Sequence, residues 1–330
     1  FSFRMLPSEV VLQDLSAFVP AFKPFKEKLR LETEADGTVN QLNCPKLLIS
    51  ADNHFLLKGD VSLQDLSHPQ DAYIFGNLSN LYADPDGIAF FVRNLSKDYK
   101  GVPPALQHLG TISFRGEISG YFTDLVTYGE VRTDIGTVKT DVKFSSDKEK
   151  GYFSYSGAVK TAEFELGKLL ANDKFGKVTF NMDVKGSHYA KRYPSVTMKG
   201  LVASIDYSDY TYENITLDGE YKQGGFNGNV SFDDENGAIQ LNGSINTAGK
   251  IPTFNFRADV DHFRPNTLHL TPKYKDTEIS VKIKADFTGS SINDMNGEIN
   301  IDSNTPLPTR ASSWTTCGLP PLRMTSVRNG

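Results

Sequence analysis

The sequence is poor in the residues from which active sites and metal centres are usually built. It holds two cysteines in 330 residues, Cys44 and Cys317. That is too few for a disulfide framework, and the pair does not stand at a metal-ligand spacing. Cysteine usage therefore suits a cell-envelope or a cytosolic location equally. No run of about 18 apolar residues occurs, so no segment is expected to cross a membrane as a helix. The net charge is −5 with both signs scattered, whereas nucleic-acid binding needs a clustered basic face. No nucleic-acid partner is expected.

Catalytic signatures are also missing. There is no Walker loop, no G-x-S-x-G elbow and no H-E-x-x-H. The six histidines, His54, His68, His108, His188, His262 and His269, read as surface or loop residues, none set for a metal on one strand face. Asp84–Gly87 and Asp233–Gly237 combine acids with glycine, but lack the twelve-residue calcium pattern with its terminal glutamate, so they read as turns. The expectation is a protein that is not an enzyme and has no catalytic residue, metal or cofactor.

What the chain does have is alternation. "TISFRGEISG" sets Phe114 and Ile118 on one side, and "KVTFNMDVKG" does the same with Val178, Phe180, Met182 and Val184. "NITLDGEY" carries Ile215 and Leu217, "GFNGNVSF" Phe226 and Val230, and "GAIQLNGSIN" Ile239, Leu241 and Ile245. "TFNFRADV" carries Phe254 and Phe256, and "EISVKIKADF" Ile279, Val281 and Ile283. A period of two is the mark of half-buried strands. Turn signals such as "SDKEKG", "KQGG", "DDENG" and "TAGKIP" separate them at short spacing, which predicts antiparallel hairpins and meanders. Helical signals are few. Asp84 is placed as an N-cap with Pro85 at the first helical position, short helices are expected near 14–22 and 84–109, and 162–171 is ambiguous between helix and strand.

Glycine sits in the apolar row. Of 27 glycines, eleven have apolar residues at both i−2 and i+2, including Gly200, Gly219, Gly228, Gly243 and Gly297, where random placement gives roughly four along a period-two strand. A strand glycine costs about 0.5–1 kcal/mol relative to alanine, so its recurrence needs a reason. Either the glycines mark bends and bulges in a tightly curved sheet, or they also leave room for an apolar guest. On the second reading Leu241 and Ile245 face a concave interior with Gly219, Gly228 and Gly243 on the same side, and Gly243→Leu narrows that interior while leaving the sheet folded. The helical segments are too short to cover so many strands. The sheet therefore closes on itself as a sandwich or barrel, or leaves apolar surface for a partner.

Several stretches resemble one family. "FRGEISGYFTDLVTYGEVRTDIGTVKTDVKF", "YSGAVKTAEFELGKLLANDKFGKVTFNMDVKG" and "YSDYTYENITLDGEYKQGGFNGNVSFDDENGAIQLNGSINTAGKIPTFNFRADVDH" look like the TamB branch of the AsmA-like superfamily. "LSAFVPAFKPFKEKLRLETEADGTVNQL" joins them, and the resemblance runs from about residue 5 to 302. It implies a mostly β chain: a long curved antiparallel sheet folded over as a β-taco or β-groove, with an apolar interior and a few short helices. Residues 1–110 form a groove segment containing the two helical regions, 111–303 continue the groove, and 304–330 are irregular. That last stretch loses the alternation and holds four of the 16 prolines and the single tryptophan.

The resemblance also implies a function. Such proteins are anchored in the inner membrane of Gram-negative bacteria, cross the periplasm and work with an outer-membrane barrel of the Omp85 class. The groove would carry phospholipid acyl chains between the membranes without catalysis, its lining being the alternating residues named above together with Gly243. A chain of about 14 methylenes would gain on the order of 10 kcal/mol on burial. The alternative is a scaffold for outer-membrane protein assembly that lends strand edges to clients. The chain opens on "FSFRML" in mid-strand style, without an initiator methionine or signal peptide. It is expected to be an internal fragment whose membrane anchor lies outside it.

Overall fold

The computed structural model describes residues 1–16, 23, 26–38, 40–66, 71–95, 101–102, 104–147, 151–189, 195–272, 275–290 and 294–303. The chain divides into two units, Phe1–Asp173 and a second that begins at Lys174.

In the first unit, nine strands follow the chain: β1 (Ser2–Val11), β2 (Lys28–Thr38), β3 (Gln41–Ala51), β4 (Phe55–Gln64), β5 (Tyr73–Ala83), β6 (Ile112–Tyr121), β7 (Asp124–Thr133), β8 (Gly136–Asp147) and β9 (Tyr152–Glu165). Each pairs antiparallel with the next. The two-residue links at 122–123 and 134–135 leave no length for a crossover, so neighbouring strands must run antiparallel. One apolar row crosses the sheet through Leu31, Ile49, Leu57, Leu81, Phe114 and Val131. Around it Val61, Leu78 and Phe114 form a buried cluster with Leu47, Leu63, Ile74 and Ile118 packed against it. Cys44, also buried, is an unpaired thiol.

Three short α-helices occur among the described residues: α1 (Pro85–Leu95), α2 (Pro104–His108) and α3 (Leu166–Leu170). The expected helical region 84–109 thus forms as two helices. At the start of α1, Asp84 Oδ1 accepts the Gly87 N–H at 2.8 Å, which satisfies a donor that the helix cannot pair internally. Phe90 of α1 packs against the buried pair Leu12 and Leu29, as do Ile49 and Ala51 of β3, so the helix covers one end of the apolar face. Of the expected helix at 14–22, a 3-10 turn forms at Leu12–Leu15, and residues 17–22 lie outside the described residues, as does 304–330. The ambiguous stretch 162–171 resolves into the end of β9 followed by α3.

The second unit is an eight-strand antiparallel meander: β10 (Phe175–Tyr189), β11 (Ser195–Tyr207), β12 (Tyr210–Lys222), β13 (Gly225–Asp234), β14 (Gly237–Asn246), β15 (Thr253–Phe263), β16 (Ile279–Thr288) and β17 (Asn296–Ser303). The fold is mostly β, with curved, open antiparallel sheet. Register shifts near Thr179/Phe180 in β10 and Val260/Phe263 in β15 mark bulges, which bend a strand and raise its local twist.

Candidate functional site: a two-faced sheet

Register decides which side chains of the second unit share a face, because one residue of slip would send every side chain to the other side. Met182, Gly200, Leu217, Val230, Leu241, Ala258, Ile283 and Ile301 stand opposite one another in succession and form a row across all eight strands. On one flank, two residues along each strand, run Phe180, Val202, Ile215, Phe232, Ile239, Val260 and Val281. On the other flank run Val184, Met198, Gly219, Gly228, Gly243, Phe256, Ala285 and Ile299. A fourth row holds Val196, Tyr221, Phe226, Ile245, Phe254 and Phe287, with the Phe254 and Phe287 rings stacked at 4.6 Å.

The opposite face is polar apart from Leu201, which stands between Asn181 and Thr216 and is exposed. Its central row reads Asp183, Lys199, Asp218, Asn229, Asn242, Arg257, Lys284 and Asn300. Lys199 pairs with Asp218 at 2.9 Å and Lys282 with Asp259 at 3.4 Å. Both pairs are exposed, so they contribute little to stability and serve to keep this face wet. A shallow hollow of about 630 Å³ lies among Gln240, Asn242, Arg257 and Lys284. Most of its lining comes from polar-face residues, but Val230, Leu241, Ala258, Ile283 and Ile301 of the central apolar row also contribute to it.

The sequence-derived residues of the second unit therefore fall together. Phe180, Met182, Val184, Ile215, Leu217, Phe226, Val230, Ile239, Leu241, Gly243, Ile245, Phe254, Phe256, Val281 and Ile283 share the apolar face, and each is half-buried. Val178, opposite Ile205, and Ile279, opposite Phe263, stand at its margin. Phe114 and Ile118 belong to the apolar face of the first unit, where Phe114 is buried and Ile118 half-buried. The apolar rows are thus in partial contact with solvent, a state that favours association with an apolar partner.

Gly243 does not leave a vacancy. Its φ is +142°, and a Cβ there would run into the Asn255 carbonyl oxygen and come within 2.5 Å of the Phe256 Cα. The gap in the apolar row is filled by the neighbouring strand's backbone. Glycine is required by conformation and close approach, which favours the bend reading over the guest reading at this position. The expectation that Gly243→Leu leaves the sheet folded is corrected accordingly.

Three residues that alternation did not reveal close one end of the face. Bulges re-aim Tyr212 and Phe263: Asn214 has a left-handed φ of +55° and His262 one of +38°, so the side-chain alternation slips by one at each. Tyr212 then packs its ring on Phe232 at 5.6 Å. The third is Leu268, in the connection between β15 and β16, with 0% exposure. It lies over Gly237, whose Cβ position is 3.4 Å from Leu268 Cδ1 and 2.7 Å from the Phe263 ring. The Tyr212 hydroxyl donates to the Leu268 carbonyl at 2.6 Å. Nothing in "RPNTLHLTP" signals burial, because the stretch has turn composition.

Polar chemistry gathers at that closed end. Tyr210 donates its hydroxyl to Asp234 at 2.7 Å and accepts from Asn236 Nδ2 at 3.1 Å. Burial, then the bond to the Asp234 carboxylate, push its phenol up to about 12. His262 takes its proton more readily than usual, chiefly through contact with the Asp234 carbonyl and then the Asp261 carboxylate. Among the described residues, one group has its ligand atoms close enough to hold a cation: His54, Asp84 and Asp86 in the first unit. His54 Nδ1 is 2.7 Å from Asp84 Oδ2, and Asp84 is already engaged as the cap of α1.

No family model matches the chain, and neither a curated protein nor a solved structure matches it.

Proposed function

We propose that this chain is a non-catalytic carrier of phospholipid acyl chains. It would be a segment of an envelope-spanning periplasmic protein, anchored in the inner membrane through a region outside this sequence and working with an outer-membrane barrel of the Omp85 class. The observation that supports this reading most is the eight-strand apolar row through Leu241, backed by a face that is polar except at Leu201. A row of aliphatic side chains offers hydrocarbon contact without directional hydrogen bonds. Each methylene moved onto it from water gains about 0.8 kcal/mol at most, spread evenly enough for a chain to slide. The TamB-like strand texture supports the placement in the envelope.

The test is lipid extraction and native mass spectrometry of protein purified from bacterial envelopes. Phospholipid is expected to co-purify, and to be lost from Leu241→Asp and Ile283→Asp, since a carboxylate beside acyl chains is costly. Protein that carries no lipid overturns the reading. Crosslinking to client β-strands that is insensitive to those two charges favours an assembly scaffold instead.

A further inference from the structure

The apolar face of the second unit has two unlike ends. At one, Leu268 is wholly buried and Phe232 is 8% exposed. The connection carrying Leu268 is tied down at several points: Tyr212 bonds its carbonyl, the Arg264 N–H bonds Asn236 O at 2.9 Å, His269 Nδ1 lies 3.0 Å from Ser208 O, and Arg264 pairs with Glu278 at 2.9 Å. At the other end the aromatic row through Tyr221 and Phe254 meets solvent, with Tyr221 47% and Ile251 61% exposed.

The turns differ in charge as well. Those at the closed end carry Asp209, Asp234 and Glu235, and their basic residues Arg264 and Lys275 are matched by Glu278 and Asp276, while the open end carries Lys222 and Lys250. Asp294, also at the open end, is occupied by the Ser290 N–H and hydroxyl. Residues 226 and 232 bracket the face six positions apart along β13, about 20 Å at ~3.3 Å per residue. One acyl layer of a bilayer is about 15 Å deep, half of its ~30 Å hydrocarbon core. A single acyl chain therefore fits between the two ends.

We propose that the second unit holds a phospholipid one way round. The acyl tail points to Leu268, which acts as an end wall, and the anionic headgroup lies at the rim of Tyr221 and Lys250, with Lys222 at the same end at the edge of the polar face. This rests on the acyl-chain reading above and adds an orientation to it. A phosphate is repelled by the acidic turns and attracted by the lysines, and an aromatic rim suits the boundary between hydrocarbon and water. Leu268 and the Tyr212 bond are the positioning elements, because Leu268 packs over Gly237 beside the Phe263 ring and the Tyr212 hydroxyl holds its carbonyl.

The experiment uses the full chain and two phosphatidylethanolamine probes. One carries a photoreactive diazirine near the acyl carboxyl and the other carries it at the terminal methyl; adducts are mapped by mass spectrometry. The carboxyl-end probe is expected to label Tyr221, Phe226 or Phe254, and the methyl-end probe Phe232, Ile239 or Val260. Leu268→Ala should let the methyl-end probe reach Tyr212 and Phe263. Should that variant fail to fold, Tyr212→Phe, which keeps the ring and removes the bond, should give the same new adducts at lower yield. Lys222→Glu with Lys250→Glu should lower total labelling several-fold. Interchanged or identical labelling by the two probes overturns the orientation while leaving the acyl-chain reading intact. Absence of adducts from both probes overturns the acyl-chain reading itself.

Discussion

Gly228 and Gly243 stand directly opposite each other across β13 and β14, and Gly219 continues the pair on β12. Three adjacent strands thus lack side chains at one level of the apolar face. Backbone explains this at 243, where the φ of +142° is one that L side chains rarely adopt. Gly243→Ala is expected to cost about 1–3 kcal/mol, the usual range for a non-glycine residue forced into such a region, and Gly243→Leu at least as much. Urea unfolding of the purified chain measures it. Midpoints equal to wild type for both variants would show that the sheet tolerates a side chain there.

The two faces should respond oppositely to charge. Asn242→Lys adds a cation to a face already carrying Arg257 and Lys284, and its effect on stability is expected to stay within about 0.5 kcal/mol. Leu241→Asp, one residue away, puts a carboxylate in the apolar row and is expected to abolish acyl-chain binding in a fluorescent fatty-acyl titration. Similar affinities for the two variants would contradict the division of faces.

Leu268→Ala removes the most buried large side chain among the described residues. The expected cost is about 2–5 kcal/mol, as for other fully buried leucines, seen as a lower urea midpoint. A change under about 0.5 kcal/mol, typical of surface positions, would mean that the end wall is not packed as described.

The cap of α1 gives a pH dependence with a definite sign. The hydrogen bond to Asp84, then its charge, raise the His54 pKa above 6.5. A raised pKa stabilises the folded state fully below the unfolded value and loses that contribution as pH rises through the folded one. For Asp84, burial acts to raise the pKa, but the Gly87 N–H and His54 prevail and lower it below 3.8. Its contribution is present above the unfolded value and lost as pH falls through the folded one. The difference in melting temperature between wild type and His54→Gln should therefore shrink as pH rises from about 5 to 8. A difference that is constant over this range argues against the pair.

Tyr210 gives a second signature. With its phenol pushed to about 12 from 10.0, its contribution to stability is complete below the unfolded value and fades as pH rises between the two. An ultraviolet tyrosinate titration should show one late-ionising group that Tyr210→Phe removes. An unchanged high-pH limb would place Tyr210 in solvent rather than against Asp234.

Much of the sheet was legible because period-two alternation fixes a face without knowledge of strand order. Leu217, Val230, Leu241 and Ile283 could be assigned to one side from their own strands alone, and antiparallel pairing then aligned them. What alternation cannot carry is a change of phase. Tyr212 and Phe263 lie beyond bulged residues, Asn214 and His262, whose left-handed backbones appear in sequence only as residue types that tolerate such a conformation. Leu268 is buried by a loop, where composition gives no period to read. Gly243 was legible as an anomaly, but its cause lies in the backbone of β15, a neighbour that no local pattern identifies.

The central claim is that the apolar face of the second unit carries acyl chains and the polar face does not. A photoreactive amino acid placed in turn at Leu241, Ile283, Asn242 and Lys284 of the full chain, followed by illumination in cells fed radiolabelled phospholipid precursor, tests it most directly. The account predicts labelled lipid on the protein from Leu241 and Ile283 and none from Asn242 and Lys284. No label at any of the four positions, or equal label at all of them, would contradict it.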